Sequence, residues 1–288
     1  MTNKKRKQHF VPQSHIKNFS YINNNTYKVI VKDKYQDNTY PSSIDDIACK
    51  RDFYEVSEKE NNYWEDWYAK IDDIIPNVYN SIFINVYFSK DGDKVLSEFL
   101  KNQMSLIILS QLLRTRVAKK YYIEKGLEIS NAFINKVKEE LKDILDLKQI
   151  EKLDKYASNE DFIFSTALEH FNSKEFIRKG TNILLNKVWI VHKNLNYKTM
   201  PFVTNDNPVI LYNFFTNKFG FGYNGIDREE TIVYFAISKE ILIALYPKGW
   251  NLLEKNNTVS FLEDKKFIMK FNAKSYEHCE RQMFSSPN

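Results

Sequence analysis

Three short segments of the 288-residue chain combine residue types that can move protons or hold anions. The first contains His9, within a run that begins at Gln8 and is broken by Pro12. A histidine exchanges protons near neutral pH, so His9 is a candidate general acid or base. His15 follows six residues later, a spacing that does not match a regular helical metal pair. The residues alone favour a second interpretation, in which His9 is a hydrogen-bonded structural residue.

The second segment lies near the end of an apolar helical pattern. On a helix of about 3.6 residues per turn, Gln103, Ser110 and Arg114 fall within about 40° of one another, with Gln111 beside them. Such a polar strip either faces water or lines an internal pocket. Arg114 would present a planar fork suited to phosphate or carboxylate, with Arg116 nearby. A buried structural salt bridge of Arg114 explains the pattern equally well.

The third segment runs from Pro201 to Pro208, where a strand enters a tight polar turn. Asp206 sits at the end of that strand, which is a common place for a catalytic acid or a metal ligand. Thr204 and Asn207 flank it and are candidates for substrate contact. Asx side chains also hold turns by bonding their own backbone, so a purely architectural role stays open.

Periodicity predicts the elements that must position these segments. We expect one domain over 1–288, of α+β class, with a helical middle region packed on a mostly antiparallel sheet and a C-terminal helix. The divisions are a basic flexible lead-in over 1–8, helices over 57–180, strands over 182–262 and a terminal helix over 263–283. The N-terminal strand over 26–33 is expected to join the C-terminal strands.

Individual elements follow from local signals. A helix over 57–84 is broken or kinked at Pro76, and a central, buried helix covers 93–122. Strands are predicted over 182–192, 208–213, 230–237 and 241–246, separated by turns such as Gly220-Phe221-Gly222. A stripe of residues spaced four apart predicts the last helix: Phe267, Phe271, Ser275, Cys279 and Met283. Glu65 and Asp72 share one face of the early helix, where we expect both to be solvated.

Composition limits the function classes. The net charge of +5 permits a nucleic-acid partner without requiring one, and the densest basic run is Lys4–Lys7. Two cysteines are too few for a disulfide framework and fit a reducing cytoplasm. No segment is long enough to span a membrane. No nucleotide-cofactor motif is present, so the cofactor is unknown, and a divalent metal at Asp206 stays open.

Taken together, the segments resemble a bacterial domain-of-unknown-function family, number 4238. The resemblance rests on Gln8–Phe19, on Tyr27–Lys32, on Asp52-Phe53-Tyr54, on the helix end at Gln111–Thr115 and on Phe202–Pro208, in the family's order. Ile47-Ala48 and a late Phe271-Asn272 also fit, so nearly the whole chain is covered. His15 stands where the family usually has an aromatic residue, and Asn205 where it usually has Ser. We therefore do not count these two as site residues.

Members of that family occur among anti-phage defence genes, so the resemblance implies a bacterial effector and supplies no mechanism. The resulting hypothesis is a toxic nuclease acting on RNA, with His9, Arg114 and Asp206 as catalytic residues. Asp206 would orient His9 or hold a metal. Substrate contacts would come from Gln8, Gln103, Gln111, Arg116, Thr204 and Asn207. The alternatives are a non-catalytic sensor of a phage protein or nucleotide, which would be its trigger, and a purely structural polar network.

Overall fold

The computed structural model of the chain describes residues 5–142, 144–218 and 224–287. Strands at both ends of the chain enclose a helical middle region. The described helices are α1 (Gln13–Ile16), α2 (Tyr63–Asp72), α3 (Ile75–Tyr87), α4 (Glu98–Leu113), α5 (Arg116–Glu140), α6 (Leu147–Ala157), α7 (Glu160–Phe171), α8 (Lys174–Leu185) and α9 (Lys265–His278). This order of elements confirms the α+β class.

The described strands form three sheets. They are β1 (Lys7–His9), β2 (Tyr21–Asn23), β3 (Thr26–Asp33), β4 (Asn38–Ser43), β5 (Cys49–Arg51), β6 (Val188–Asn194), β7 (Thr204–Asn205), β8 (Ile210–Asn213), β9 (Thr231–Ala236), β10 (Ile241–Tyr246), β11 (Thr258–Leu262) and β12 (Gln282–Ser285). The central sheet has the order β11-β6-β10-β9-β8, and only its β11–β6 pair is parallel.

The other two sheets bring the ends of the chain together. In one of them β3 pairs with β2, β4 and β12, and β12 also pairs with β7. The other is the pair β1–β5. Strand β12 lies between β3 and β7, with Phe284 opposite both Val31 and Thr204. Strand β3 thus joins a C-terminal strand, β12, but not the C-terminal strands that were predicted, because those form the central sheet.

Both faces of the central sheet are buried, because its strands alternate between two cores. Val233, Phe235, Ile243 and Leu245 face the helical layer. Ile232, Tyr234, Leu242 and Ala244 face α9 instead. The sheet is thus the middle layer between α2–α8 and α9. Helix α4 is buried on most of its sides against this sheet, as its apolar composition predicts.

Several predicted boundaries were wrong, and a capping side chain explains one of them. The 93–122 helix is two helices, because the Thr115 side chain accepts the Ala118 N–H and starts α5. The 57–84 helix begins only at Tyr63, but it is divided next to Pro76 as predicted, into α2 and α3, with Pro76 in the first turn of α3. Residues 182–185 finish α8, so the strand predicted from 182 begins at Val188.

The two ends of the chain also differ from expectation. The terminal helix stops at His278, so Cys279 lies beyond it and Met283 belongs to β12. Lys7 and Gln8 form a strand, which shortens the predicted lead-in; Met1 to Lys4 and the Gly220-Phe221-Gly222 turn lie outside the described residues. Among the residues that the structure describes, no helix combines the length and apolarity needed to cross a membrane.

Candidate functional site

The three sequence segments meet around the C-terminal end of α4. Gln111 donates from Nε2 to the Phe10 carbonyl over 2.9 Å, which ties α4 to the His9 segment. The Tyr54 hydroxyl lies 3.3 Å from the His9 carbonyl and 3.2 Å from the Arg114 carbonyl. His15 and Thr204 join the first and third segments through a 3.0 Å hydrogen bond. We call these residues, together with Glu65, Tyr68 and Asp72 near Arg114, the α4 cluster.

Arg114 is the charged centre of the α4 cluster. Its side chain is only 2% exposed, and its Nη1 lies 2.9 Å from Oδ1 of Asp72. Nη2 donates to Asp72 Oδ2 over 3.2 Å, and Nε donates to Gln111 Oε1 over 3.2 Å. The guanidinium also lies 5.2 Å from the ring centre of Tyr68. The polar strip on α4 therefore faces the protein interior. Arg114 forms the buried salt bridge that was the alternative to an anion-binding role.

Glu65 and Asp72 were expected to be solvated, and the structure corrects this. They share a face of α2 with Tyr68, and the N-terminal segment and α4 cover that face. Glu65 is half-buried, and its Oε2 atom is buried without a hydrogen-bond partner. Burial raises the pKa of Glu65 to about 7, although the charge of nearby Arg114 acts to lower it. A half-buried carboxyl that titrates near neutral pH can either donate or accept a proton.

His9 is half-buried at the edge of the same cluster. Its Nε2 lies 3.2 Å from the Asp45 carbonyl and 3.4 Å from Gln13 Nε2. Burial lowers the pKa of His9, and the charges of Lys7 and Arg114 lower it further. The ring is therefore mainly neutral at pH 7, which suits a general base. Arg114 is a charged neighbour of both His9 and Glu65.

Asp206 makes the turn contacts of the architectural role that the sequence left open. Its Oδ1 accepts the Glu280 N–H over 2.9 Å, and its Oδ2 accepts the N–H groups of Arg281 and Gln282 over 2.8 and 2.9 Å. Burial raises its pKa to about 6, against the lowering effect of these bonds. Asp206 thus holds the turn between α9 and β12, and it makes no hydrogen bond to His9. Its role as the group that orients His9 is corrected.

Five of the six residues assigned to substrate contact have protein partners among the residues that the structure describes, the exception being Gln103. Gln8 is buried, donating to Glu55 Oε1 and accepting the Tyr54 N–H, each over 2.7 Å. Arg116 pairs with Glu280 at 3.0 Å. The Asn207 amide nitrogen lies 2.9 Å from His278 Nε2. Gln103 is half-buried on α4, two turns before Gln111.

His15 was set aside in the sequence and lies at the middle of the cluster. It is fully buried, stacks on Phe235 at 4.9 Å and has Tyr79 Oη 2.9 Å from its Nδ1. Burial lowers its pKa to about 3, so it is neutral over the physiological range. Nothing in the sequence around His15 marks it as a residue of the cluster, because its partners Tyr79 and Thr204 are distant in the chain.

The space inside the cluster is small. The gap between His15, Asp72, Ser110, Gln111 and Arg114 leaves essentially no room for a water molecule, whereas typical small-molecule sites measure about 300–1,000 Å³. Within the described residues, no group of three or more His, Cys, Asp or Glu side chains is placed to hold a metal ion. The half-buried titratable side chains that could transfer protons are His9 and Glu65, each of which is near the charge of Arg114.

The fold and the cluster define an α+β protein in which the N-terminal segment and α2 close over a buried arginine. The chain belongs to the family described as "Protein of unknown function (DUF4238)", whose model matches residues 7–288. No curated protein and no solved structure matches the chain significantly.

Proposed function

We propose that this chain is a ribonuclease in which His9 and Glu65 form the acid–base pair. The observation that carries the proposal is the half-buried Glu65 carboxyl with a pKa of about 7, beside the charge of Arg114 and in the cluster that also holds His9. General acid–base catalysis is most efficient when the catalytic pKa lies near the working pH. Glu65 meets that condition, whereas Asp206 is occupied by three backbone N–H groups.

The protonation states of His9 and Glu65 at pH 7 suit RNA cleavage. Neutral His9 would take the proton from the 2′-hydroxyl, whose oxygen attacks the adjacent phosphorus. Protonated Glu65 would give its proton to the departing 5′-oxygen as the P–O bond breaks. The products are a 2′,3′-cyclic phosphate and a 5′-hydroxyl, and the chain supplies both proton transfers. DNA lacks the internal nucleophile, so it would not be cleaved by this route.

Arg114 takes a positioning role in this proposal. Its donors are held by Asp72 and Gln111, so it acts through its fixed charge and not by direct contact with phosphate. That charge favours the ionised form of Glu65 and the neutral form of His9. Lys5, whose charge also reaches Glu65 and whose Nζ pairs with Asp66 at 2.9 Å, stands at the exposed side as a steering group for a polyanion.

The test uses purified protein and a DNA oligonucleotide that contains one ribonucleotide. Wild-type protein is expected to cut at that position and leave a cyclic phosphate. His9→Ala and Glu65→Gln should each lose at least about 100-fold in rate, the usual contribution of one acid or base. Asp73→Asn, an exposed carboxyl beside Asp72, is the matched control and should keep full activity. Equal rates for all four proteins would overturn the proposal.

The biological setting proposed for this activity is the one that the family resemblance implies: a cytoplasmic effector of anti-phage defence, released by a phage-derived trigger. Induction in a bacterial host should then arrest growth with wild-type protein and not with Glu65→Gln. A non-catalytic binding module is the competing candidate, favoured by the ion pair with Asp72 that keeps Arg114 from contacting a reacting phosphate. It predicts ligand-induced thermal stabilisation without new RNA ends.

A further inference from the structure

A groove of about 500 Å³ lies between α9 and the β8–β9 edge of the central sheet. It is on the side of the sheet that faces α9, opposite the helical layer that holds the α4 cluster. Aromatic side chains form much of its wall: Tyr212, Phe214, Tyr234, Phe267 and Phe271. Tyr212, Tyr234 and Phe271 belong to the buried core beneath the groove, while Phe214 is exposed and Phe267 is half-buried, so these two rings face an incoming ligand.

The rings that line the groove continue into two neighbouring rings outside it, Trp250 and Tyr246. Phe214 is 55% exposed and contacts Trp250, with ring centres 5.2 Å apart. Trp250 in turn lies 6.2 Å from Tyr246, which contacts Tyr234 on the groove floor. Of these rings Phe214 is exposed and Trp250 and Tyr246 are half-buried, and accessible aromatic faces of this kind stack on nucleobases.

Lysines follow one side of the groove. Lys266, Lys270 and Lys274 recur every fourth residue on α9, so they lie on one stripe about 6 Å apart along the helix axis. Lys270 is exposed, and Lys274 places its Nζ 3.5 Å from the ring centre of Tyr212. Of the described residues that line the groove, two are basic, Lys270 and Lys274, and one is acidic, Glu277. The rim is therefore positively charged beside an aromatic floor.

We infer that this groove, which we call the α9 groove, binds a single-stranded segment of RNA. Lysines along a backbone path with aromatic platforms beside them are the combination by which proteins hold single strands without sequence preference. An acidic peptide would satisfy the lysines but would leave the row of aromatic faces unexplained. The identification of the strand as RNA rests on the proposed ribonuclease function, whereas binding itself does not require cleavage.

The α9 groove would act as a docking surface and not as the cleavage centre, because the central sheet separates it from His9 and Glu65. A long RNA would be held at this surface while another part of the strand reaches the α4 cluster. The inference therefore predicts that long substrates depend on the groove, and that a trinucleotide does not.

The test measures fluorescence anisotropy of a labelled 20-nucleotide 2′-O-methyl RNA, which cannot be cut through its 2′-oxygen. Phe214→Ala should weaken binding about tenfold. Lys270→Ala should weaken it and reduce the slope of log K against log salt by about 0.7, the value for one phosphate contact on a single strand. Phe88→Ala, which removes an 80% exposed ring, and Lys136→Ala, which removes a lysine 73% exposed on α5, are the matched controls.

The outcomes separate this inference from the ribonuclease proposal. Binding that falls in the two groove variants and not in the controls supports the groove, whether or not wild-type protein cuts RNA. Unchanged binding in both groove variants overturns it, even if cleavage by His9 and Glu65 is found. Displacement of the RNA by an acidic peptide at equal concentration, with no loss in Phe214→Ala, would likewise overturn the RNA assignment.

Discussion

Arg114 and Asp72 form a two-point ion pair that joins α4 to α2, with Nη1 2.9 Å from Oδ1 and Nη2 3.2 Å from Oδ2. The arginine is buried and the carboxylate is partly exposed. Two helices that are 42 residues apart at this contact are thereby fixed in relation to each other. Glu65 lies on the same helical face as Asp72, so the pair also determines where the titrating carboxyl sits.

Replacing Asp72 by Asn should destabilise the protein strongly, because it leaves the buried guanidinium without a counter-charge. We expect a loss of about 2–4 kcal/mol in the free energy of unfolding, below the upper end for fully buried pairs since Asp72 reaches solvent. Urea denaturation measures this. The neighbouring Asp73→Asn should change stability by less than about 0.5 kcal/mol. Equal stability of the two variants would show that the pair does not hold the helices.

The His15–Thr204 bond should be a stabilising link and not a catalytic one. His15 is neutral and fully buried, and its other nitrogen faces Tyr79. A double-mutant cycle with His15→Phe and Thr204→Val is expected to give a coupling energy of about 0.5–3 kcal/mol. RNA cleavage by the folded Thr204→Val variant should match wild type. A coupling near zero would contradict this role.

Asp206→Asn should cost about 1–3 kcal/mol in stability while leaving cleavage intact in the folded fraction. An amide has one acceptor oxygen, so it cannot hold all three N–H groups of the α9–β12 turn, and a stranded buried donor costs that much. Glu229→Gln, an exposed site, serves as the control. Loss of activity without loss of stability would return Asp206 to the catalytic set.

Glu65 should make stability depend on pH. Its folded pKa of about 7 lies above its ordinary value of 4.5, so the unfolded chain releases this proton first as pH rises. The free energy that the folded protein gains by holding this proton is fully present below about pH 4.5 and is lost as pH rises toward 7. Glu65→Gln should flatten the unfolding free energy over that window. Parallel pH curves for wild type and variant would show that the carboxyl is not perturbed.

Regular elements could be predicted from the sequence where the local pattern was unambiguous. Strand β10 matches the predicted 241–246 because five buried residues in succession are typical of a strand with two covered faces. The helix ends were less accurate, since the break between α4 and α5 depends on a single capping threonine.

The candidate site was only partly predictable, because its decisive partners are distant in the chain. The segments around His9, Arg114 and Asp206 were identified, and the structure brings them to one region through Gln111, Tyr54 and Thr204. Acidic residues on a helix usually face water, so nothing local distinguished Glu65 and Asp72. Only the packing of the N-terminal segment and α4 over α2 made them part of the cluster.

The pH dependence of the RNA cleavage rate tests the acid–base assignment most directly. The account predicts a bell-shaped profile for kcat/KM of wild-type protein, falling on the acid side as His9 becomes protonated and on the alkaline side above about pH 7 as Glu65 ionises. Glu65→Gln should lose the alkaline limb together with most of the rate. A Glu65→Gln variant that keeps the wild-type rate and the same alkaline limb would contradict the central claim.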